Sequence, residues 1–590
     1  MKRCLLVILL CIIASAWCRA LDRNAFTITE YRLDVMIDRA THVMTVEGKL
    51  NLRNDSKAPQ KNVSLQISSS LAWDRITLND IALEYLAEPY TSDIDHTGAL
   101  SEAIITLPEA VQPGSTVTVA VQYGGTVTTD GTRLVRMGAP REVAWRNDWD
   151  QIGDPFTAVR GLGYVAWYPV SIEAVNMSDG TAVSDAIARW KERHRNSLFD
   201  AKIAAEMDPS APVSVVTNAP GSDLGGRESL RRNRDGREET VAFATNRLQL
   251  ASMGFLVPAF AVGPFEKLSR PTVDLFYTPE RDLIAKDYAV AAEASEPLLS
   301  DWLPQRSAQP VRIIELTSPD ANPYQNGATL FAPLRSSTQQ NLQLLLLPTQ
   351  VAARFPTPRA WMQNGLGLFL QAILNRERRG RTAALKFLDQ YDGALAKAEE
   401  LAHPDAKDSK ATSEADNTLL NTSDELYLRV KSGFVFWMLS DMLGDAALQH
   451  VLAAYHADAD KDPSYLQKLL EAQAKRNLEW FFDDWVYRDR GLPDFHVESA
   501  SSRKLLNGAA NSQQVAATIE NRGNAGAEVP VIFRTATGEK SVRVLVRAHE
   551  KGVGRVELPA AGTRVIVNDG SVPESDTTNN IYEFATKPQE

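Results

Sequence analysis

The segment NLEWFFDDWVY at residues 477–487, followed by GLPDF at residues 491–495, decides the fold of this chain. Taken alone, it predicts a helix with an aromatic face that ends at a glycine cap. Asp483 and Asp484 lie between two tryptophans of this face. We interpret these two carboxylates as part of a solvated helix face rather than as an acid–base pair.

The sequence on either side of this segment divides into a helical region and a β region. Before it, apolar residues recur at helical spacing, which predicts helices at 425–443, 446–457 and 464–488. After Pro493 this period is lost and alternating strands separated by turns begin, which predicts an immunoglobulin-like β-sandwich over residues 496–590.

The N-terminal half is mostly β. Short alternating strands and turn clusters predict an antiparallel β domain over residues 21–268, interrupted by a charged helical insert at 185–199. Residues 269–395 mix both periods and predict an α/β unit that includes a helix at 361–375. Residues 396–424 contain few apolar side chains, so we expect a mobile surface linker before the helical region at 425–495.

The first twenty residues have the pattern of a secretory signal peptide, with Lys2 and Arg3 before an apolar run and small residues after it. All three cysteines lie within this segment. Its removal, with Lys2, Arg3 and Arg19 and no acid, changes the formal net charge from −11 to −14. We therefore expect a secreted or periplasmic protein without a transmembrane anchor, disulfides or nucleic-acid partners.

Between Ala321 and Arg376 the chain contains no Asp, Glu, His or Cys. No histidine at all occurs between His194 and His403. These four residue types are the usual zinc ligands in proteins, so this stretch cannot supply a zinc site of its own. Isolated histidines elsewhere, including His194, His450 and His456, are interpreted as surface or packing residues.

Several motifs, taken in their order along the chain, resemble the M1 family of zinc aminopeptidases. The 477–495 segment is similar to the end of that family's helical region, and MLSDMLG at 438–444 is similar to its "MLRDMLGD" helix end. Residues 31–35 and 166–169 resemble its N-terminal saddle and an aromatic-proline element, and WMQNG at 361–365 resembles its W-L-N-E-G. The resemblance covers most of residues 24–495.

This resemblance implies an α+β multidomain fold. Its parts are an N-terminal antiparallel β saddle, a thermolysin-like α/β domain completed by an α-helical region, and a C-terminal immunoglobulin-like β-sandwich. In the family, two histidines of an H-E-x-x-H helix and a glutamate on a following helix bind zinc. The glutamate within the H-E-x-x-H motif is the general base.

The family's catalytic positions are all occupied by other residues here. The glutamate ligand corresponds to Asn364. The two histidine positions correspond either to Asn341 and Leu345 or, with a shorter loop, to Pro348 and Ala352. The base then corresponds to Leu342 or to Thr349, and neither side chain is an acid or a base.

Two further elements of the family's chemistry also differ. Its exopeptidase loop G-x-M-E-N, whose glutamate holds the substrate amine, corresponds to Gln325, Asn326, Gly327, Ala328 and Thr329. Its transition-state tyrosine corresponds to Arg429, and the nearby Tyr427 is expected on another face of the helix.

We therefore expect no catalytic residues, no bound metal and no other cofactor, although zinc is the family's cofactor. The leading hypothesis is a pseudo-peptidase whose former cleft, residues 341–371, binds a peptide or protein. One alternative is an active aminopeptidase with an atypical metal site that draws, for example, on His403. Another is a structural or assembly module that acts through its β domains.

Overall fold

The computed structural model describes residues 21–179, 182–219, 226–234, 237–304, 309–402, 418–505 and 512–584. The predicted signal peptide, the predicted zinc alternative His403 and most of the predicted linker lie outside these residues. By their internal contacts the described residues form two compact units. The first comprises residues up to Ser269 with Asp274–Ala285 and Arg312–Arg335, and the second comprises the rest.

The first unit is built mainly of strands. They are β1 (Phe26–Asp38), β2 (Val43–Asn54), β3 (Gln60–Ser68), β4 (Leu71–Leu78), β5 (Ile81–Ala82), β6 (Tyr85–Thr91), β7 (Ala99–Val111), β8 (Thr116–Thr126), β9 (Thr157–Val159), β10 (Leu198–Met207), β11 (Ser214–Thr217), β12 (Gly226–Arg234), β13 (Arg237–Leu250), β14 (Phe260–Gly263), β15 (Glu266–Arg270), β16 (Val273–Tyr277), β17 (Val311–Glu315), β18 (Tyr324–Asn326) and β19 (Thr329–Ala332). Three helices accompany them, α1 (Thr132–Arg136), α2 (Arg141–Asn147) and α3 (Ala182–Arg193).

The largest sheet of this unit has eight strands in the order β12-β13-β10-β1-β2-β8-β4-β5. It differs from the predicted antiparallel sheet at one pair, because β1 and β10 run parallel from Glu30 opposite Leu198 to Ile37 opposite Ala205. Parallel strands cannot be joined by a tight hairpin and need a long connection, which the chain between β1 and β10, including α3, provides. The predicted helical insert at 185–199 is also shorter, because Leu198 and Phe199 already belong to β10.

Two of the motifs quoted above meet in the core of this unit. The hydroxyl of Tyr31 donates to the carbonyl of Pro169 at 3.1 Å, and the rings of Tyr31 and Tyr168 form an edge contact with centroids 5.9 Å apart. Smaller sheets, β3-β7-β6, β11-β14-β9 and β15-β16-β17-β19-β18, complete the described strands of the first unit.

The second unit contains most of the longer helices and a β region. Its helices are α5 (Glu296–Trp302), α6 (Gln339–Arg354), α7 (Ala360–Arg379), α8 (Arg381–Asp389), α9 (Asp392–Ala402), α10 (Glu425–Leu443), α11 (Asp445–Ala454), α12 (Tyr465–Ala474) and α13 (Glu479–Phe482), while α4 (Asp282–Ala294) is divided between the units. Its strands are β20 (Phe495–Lys504), β21 (Gln513–Asn521), β22 (Ala527–Arg534), β23 (Glu539–Val546), β24 (Lys551–Leu558), β25 (Arg564–Val567) and β26 (Ile581–Glu583).

These last strands form two sheets, β20-β21-β24 and β23-β22-β25-β26, whose buried residues share one apolar core. A β domain after residue 493 is therefore present, while its immunoglobulin-like topology stays a prediction. The beginning of the predicted linker is helical, because α9 extends to Ala402 and buries Leu395 and Ala398. Among the described residues, no helix is both long enough and apolar enough to cross a lipid bilayer.

The segment 477–487 is not the single helix that its spacing predicts. A left-handed Lys475 (φ 53°) follows α12, and after α13 the residues Asp483–Tyr487 form a π-helical turn. The prediction of a solvated face is wrong for Asp484, which is buried and accepts a hydrogen bond from the amide of Gly526 at 3.0 Å. Its neighbour Trp485 donates to the carbonyl of Gly526 at 2.8 Å, so this turn fastens the helices to the β region.

Candidate functional site: the pair of helices α6 and α7

Helix α6 contains every residue proposed for the two histidine positions. It begins after Thr338, whose hydroxyl accepts from the amide of Asn341 at 3.2 Å, and it continues through Pro348. Proline has no N–H, so the carbonyl of Leu344 lacks its helical donor. Instead, Nε2 of Gln371 on α7 donates to that carbonyl. The neighbouring helix thus supplies the hydrogen bond that Pro348 removes.

Contacts between α6 and α7 fix how the two helices align. Gln340 contacts Asn375 at 3.3 Å, Leu344 accepts from Gln371, and Pro348 lies against Gly367. Each step of four residues along α6 thus matches a step of four backwards along α7. One further step brings Ala352 level with Gln363 and places Asn364 beside it. On this helix alignment Pro348 and Ala352 lie nearer to Asn364 than Asn341 and Leu345 do.

Two glycines allow α7 to pack closely on both sides. A Cβ added at Gly367 would lie 3.2 Å from the Cβ of Pro348 on α6. A Cβ added at Gly365 would lie 2.5 Å from the Cβ of Ser432 on α10, so any side chain there would force the helices apart. The Gly365-Leu366-Gly367 sequence therefore serves helix packing.

The side chains at these positions do not fit a zinc ion. Pro348 and Ala352 carry no donor atoms, and Asn364 offers a neutral amide whose Nδ2 donates to the carbonyl of Ala360 at 2.9 Å. Zinc in proteins takes sulfur, imidazole nitrogen and carboxylate oxygen. Within the described ranges, no group of three or more His, Cys, Asp or Glu side chains is placed to hold a metal ion. Thr349, at the base position of this alignment, is fully buried.

The position matched to the family tyrosine lies on α10. The guanidinium of Arg429 lies 5.4 Å from the ring centre of Tyr391. The hydroxyl of Tyr427 instead donates to Asp489 at 2.8 Å and accepts from Lys431 at 2.9 Å, inside the core. The two side chains therefore lie in different surroundings, and Tyr427 is committed to a buried network.

This buried network was not predicted from the sequence. The ammonium of Lys431 is fully buried and forms ion pairs with Glu399 and Asp489 and a hydrogen bond to the carbonyl of Gly491 at 3.3 Å. Burial alone would lower the pKa of Lys431, but the two carboxylates raise it above its ordinary value. Glu399 lies within the segment predicted as linker and Asp489 follows the π-helical turn, so no local pattern links them.

The residues matched to the exopeptidase loop form a tight turn in the first unit. Gln325 and Asn326 end β18, and Gly327 has a φ of 59° before β19 begins at Thr329. Nδ2 of Asn326 donates to the carbonyl of Val257, whose amide returns a hydrogen bond to Oδ1 at 3.3 Å. Gln325 is exposed and donates to the carbonyl of Gly327 at 3.2 Å. The Asn326 amide thus holds the turn in place.

The buried histidines of the first unit have structural surroundings. His194 stacks on Trp190 with centroids 4.4 Å apart, and burial lowers its pKa to about 3. Burial alone would also lower the pKa of His96, but the hydrogen bond to Asp148 at 3.0 Å and the neighbouring aspartates raise it to about 9. His194 matches the predicted packing role. Nothing in the sequence pattern identified His96.

Comparisons with known proteins test the fold. No protein-family model matches the chain, and no curated protein matches it. Among solved structures, an aminopeptidase A of Legionella pneumophila in complex with aspartic acid matches 95% of this chain with a TM-score of 0.57 and 11% identity. This chain therefore has an aminopeptidase-like fold. It spans 60% of the length of that structure.

An M1 zinc metallopeptidase of Deinococcus radiodurans is a further structural neighbour. It matches 80% of this chain and 96% of its own, with a TM-score of 0.44 and 14% identity. The expected mixed α+β fold with several sheets is present in the described residues. The likeness to these structures concerns the fold and leaves the chemistry of this chain to its own residues.

Proposed function

We propose that this chain is an M1-peptidase-like protein that neither binds zinc at the α6–α7 pair nor hydrolyses peptides. The observation that supports this proposal is the close packing of the helix pair, in which Pro348, Ala352 and Asn364, the residues that we match to the ligand positions, provide no set of zinc ligands. A zinc site needs three protein ligands and an open position for water. Among the side chains of Pro348, Ala352 and Asn364, only the amide oxygen of Asn364 could act as a metal ligand.

We further propose that the half-exposed side of this pair binds a peptide segment or a protein. This face, which we call the cleft face, consists of Leu344, Leu345, Pro348, Ala352, Gln363, Asn364 and Gln371, all of them half-buried. It carries no charge. The side-chain amide of Gln363 forms no hydrogen bond among the described residues, and the Asn364 side chain uses its Nδ2, not its Oδ1, in the hydrogen bond to Ala360. Both groups therefore remain available to a peptide backbone.

A peptide seated there would place apolar side chains on Leu344, Leu345 and Pro348. Without a carboxylate there is no partner for a free amino terminus, so an internal segment suits the face better than a chain end. If residues 1–20 direct export as proposed, the partner is an extracytoplasmic peptide or protein. The alternative, hydrolysis of N-terminal peptide bonds with an atypical metal site, is the activity that the test below looks for.

The test combines metal analysis with an activity assay. The mature protein is dialysed without chelator, its zinc content is measured, and aminopeptidase activity on a panel of amino-acid anilides is followed with and without chelator. We expect less than about 0.1 zinc per chain and no turnover above background. One zinc per chain, or activity abolished by chelator, would overturn the proposal.

The binding part of the proposal has a separate test. Blocked peptides and matched peptides with free amino termini are screened by calorimetry against the protein and its Gln363→Ala variant. Binding of the blocked peptides that weakens severalfold on Gln363→Ala supports an uncharged internal segment as ligand. If no peptide binds, or if Gln363→Ala has no effect, the cleft face is not the binding surface.

A further inference from the structure

A cavity in the first unit is lined by none of the residues of α6 or α7. It is formed by one side of α3, by the extended segment 172–175 and by Asn24, and its volume is about 220 Å³. All of its lining residues belong to the first unit, so nothing that follows depends on the function proposed for the cleft face.

Most of the cavity wall is apolar. Ile172, Val175, Ala186 and the buried Trp190 line it, and the cavity is partly open to solvent. A closed apolar cavity of about 150 Å³ is enough to hold benzene. This cavity therefore has room for one phenyl-sized or branched aliphatic group and a few further atoms.

Two cations border this apolar space. Arg189 and Arg193 are four residues apart on α3, so their side chains leave the helix on the same side. Arg193 donates to the carbonyl of Ser171 at 2.7 Å and to Oδ1 of Asn24 at 2.9 Å, which are neutral oxygens. Its Nε is buried and has no hydrogen-bond partner in the described part of the chain.

Neither guanidinium forms an ion pair with a carboxylate in the described ranges. Arg189 is exposed and makes no hydrogen bond there. Burial lowers the pKa of Arg193, and the more distant charges of Asp55 and Asp22 offset this effect only in part. Two like charges four residues apart on a helix repel each other, so this arrangement is stabilised when an anion binds between them.

Glu173 is the acid that lines the cavity. It is about half exposed and lies 3.5 Å from Arg23, whose main partner is the buried Glu102 at 2.7 Å. The cavity lining therefore carries two guanidinium groups without ion pairs in the described residues and one carboxylate. Its electrostatic field favours an anion over a cation.

We propose that this cavity binds an organic monocarboxylate with a single apolar group of about phenyl size. The apolar group occupies the space lined by Ile172, Ala186 and Trp190, and the carboxylate lies at Arg189 and Arg193. The same chemistry is present in a free small acid and in the apolar C-terminal residue of a peptide.

The experiment uses phenylacetate as the probe, with 2-phenylethanol and phenethylamine as neutral and cationic counterparts, titrated into the full-length mature chain by calorimetry. We expect phenylacetate to bind at least about tenfold more tightly than either counterpart. Equal binding of phenylacetate and 2-phenylethanol, or no binding of phenylacetate, would overturn the proposal.

Variants locate the site. Arg189→Ala removes an exposed side chain that makes no hydrogen bond or ion pair among the described residues, so the fold should be unaffected. The variant should bind phenylacetate about tenfold more weakly and 2-phenylethanol with unchanged affinity. Lys49→Ala, an exposed cation on β2 outside the cavity lining, is the matched control and should have no effect. Ala186→Leu fills the cavity and should abolish binding of both probes. An unchanged phenylacetate affinity in Arg189→Ala would contradict the site.

A second pair of probes distinguishes the two sources of the ligand. N-acetylphenylalanine mimics a peptide C-terminus, and its amide lacks the charge. If N-acetylphenylalanine binds more tightly than phenylacetate, the ligand is a chain end; if it binds less tightly, the ligand is a free acid. The amide must bind more weakly than N-acetylphenylalanine in either case, and a stronger amide would refute the role of the arginines.

Discussion

The cleft face around Asn364 and the buried cluster around Lys431 both lie in the second unit, yet charge is treated differently in each. Lys431 is fully buried and keeps its charge because Glu399 and Asp489 supply two carboxylates. A carboxylate at position 364 would add a charge to the cleft face, whose own residues carry none. The amide of Asn364 fills the same space without a charge that would have to be solvated or paired.

The two regions show under which conditions a charged side chain is tolerated in this fold. A buried ion is tolerated when the chain itself provides the opposite charge with good hydrogen bonds. A site that depends on an external ion has no such support when the ion is absent.

Restoring ligands at the cleft face should restore zinc binding only in the correct alignment. The triple variant Pro348→His, Ala352→His and Asn364→Glu should bind one zinc per chain with a dissociation constant of about 1 µM or tighter. The control Asn341→His, Leu345→His and Asn364→Glu carries the same new residues in the other alignment and should not. Metal content after dialysis, with chelator competition, measures both. Equal binding by the control would refute the alignment of α6 and α7.

Removing the buried cation should be far more costly than adding a charge to the cleft face. Lys431→Met leaves the two buried carboxylates of Glu399 and Asp489 without their cation and should lower the free energy of unfolding by about 3–5 kcal/mol. Asn364→Asp places a carboxylate on the half-exposed face and should cost less than about 1 kcal/mol. Denaturant titration of both variants measures the difference. Similar losses would mean that the two regions do not differ in how they tolerate charge.

The first unit offers a second buried pair that can be switched off by pH. Because the pKa of His96 is raised from 6.5 to about 9, its contribution is fully present below about pH 6.5 and is lost as the pH rises through 9. The loss should amount to about 3 kcal/mol. Denaturant titrations from pH 6 to 10 should show this decline in the wild type and a flatter profile in His96→Gln. Identical profiles would exclude His96 as the titrating group.

The smallest effect concerns the hydrogen bond across α6 and α7. Gln371→Ala removes the donor to the carbonyl of Leu344 and should cost about 1 kcal/mol, whereas Gln363→Ala on the same helix should cost less than about 0.5 kcal/mol. Pro348→Ala returns the missing N–H to α6, so Gln371→Ala should cost less in that background. Denaturant unfolding of the wild type, Gln371→Ala, Pro348→Ala and the double variant gives the coupling between the two positions, and Gln363→Ala is the control. If Gln371→Ala lowers the free energy of unfolding equally in both backgrounds, the Gln371 side chain does not replace the hydrogen bond that Pro348 removes.

Local patterns predicted the individual elements of the second unit well. Helix α10 was predicted at its observed bounds, because its apolar run is bounded by the cap at Asp424 and by Gly444. A β region after Pro493 and a helix that includes residues 361–375 are also present. These features depend on periodicity and capping within one segment, which a single sequence displays directly.

The features that the sequence did not predict depend on partners far along the chain. Asp484 is buried, and its carboxylate accepts a hydrogen bond from the amide of Gly526 at 3.0 Å, 42 residues further along the chain. The parallel pairing of β1 with β10 likewise joins strands that are widely separated in sequence. The alignment of α6 with α7 likewise rests on Gln371 and Gly367. Residue types alone do not reveal such pairings.

The proline in the middle of α6 bears on the order in which this region folds. An isolated α6 would leave the carbonyl of Leu344 to solvent, and the turn around Pro348 would be weak on its own. Docking of α7 brings Gln371 to that carbonyl and completes the turn. We therefore expect α6 to become fully helical only after α7 has formed, so that α6 is the later of the two helices to fold.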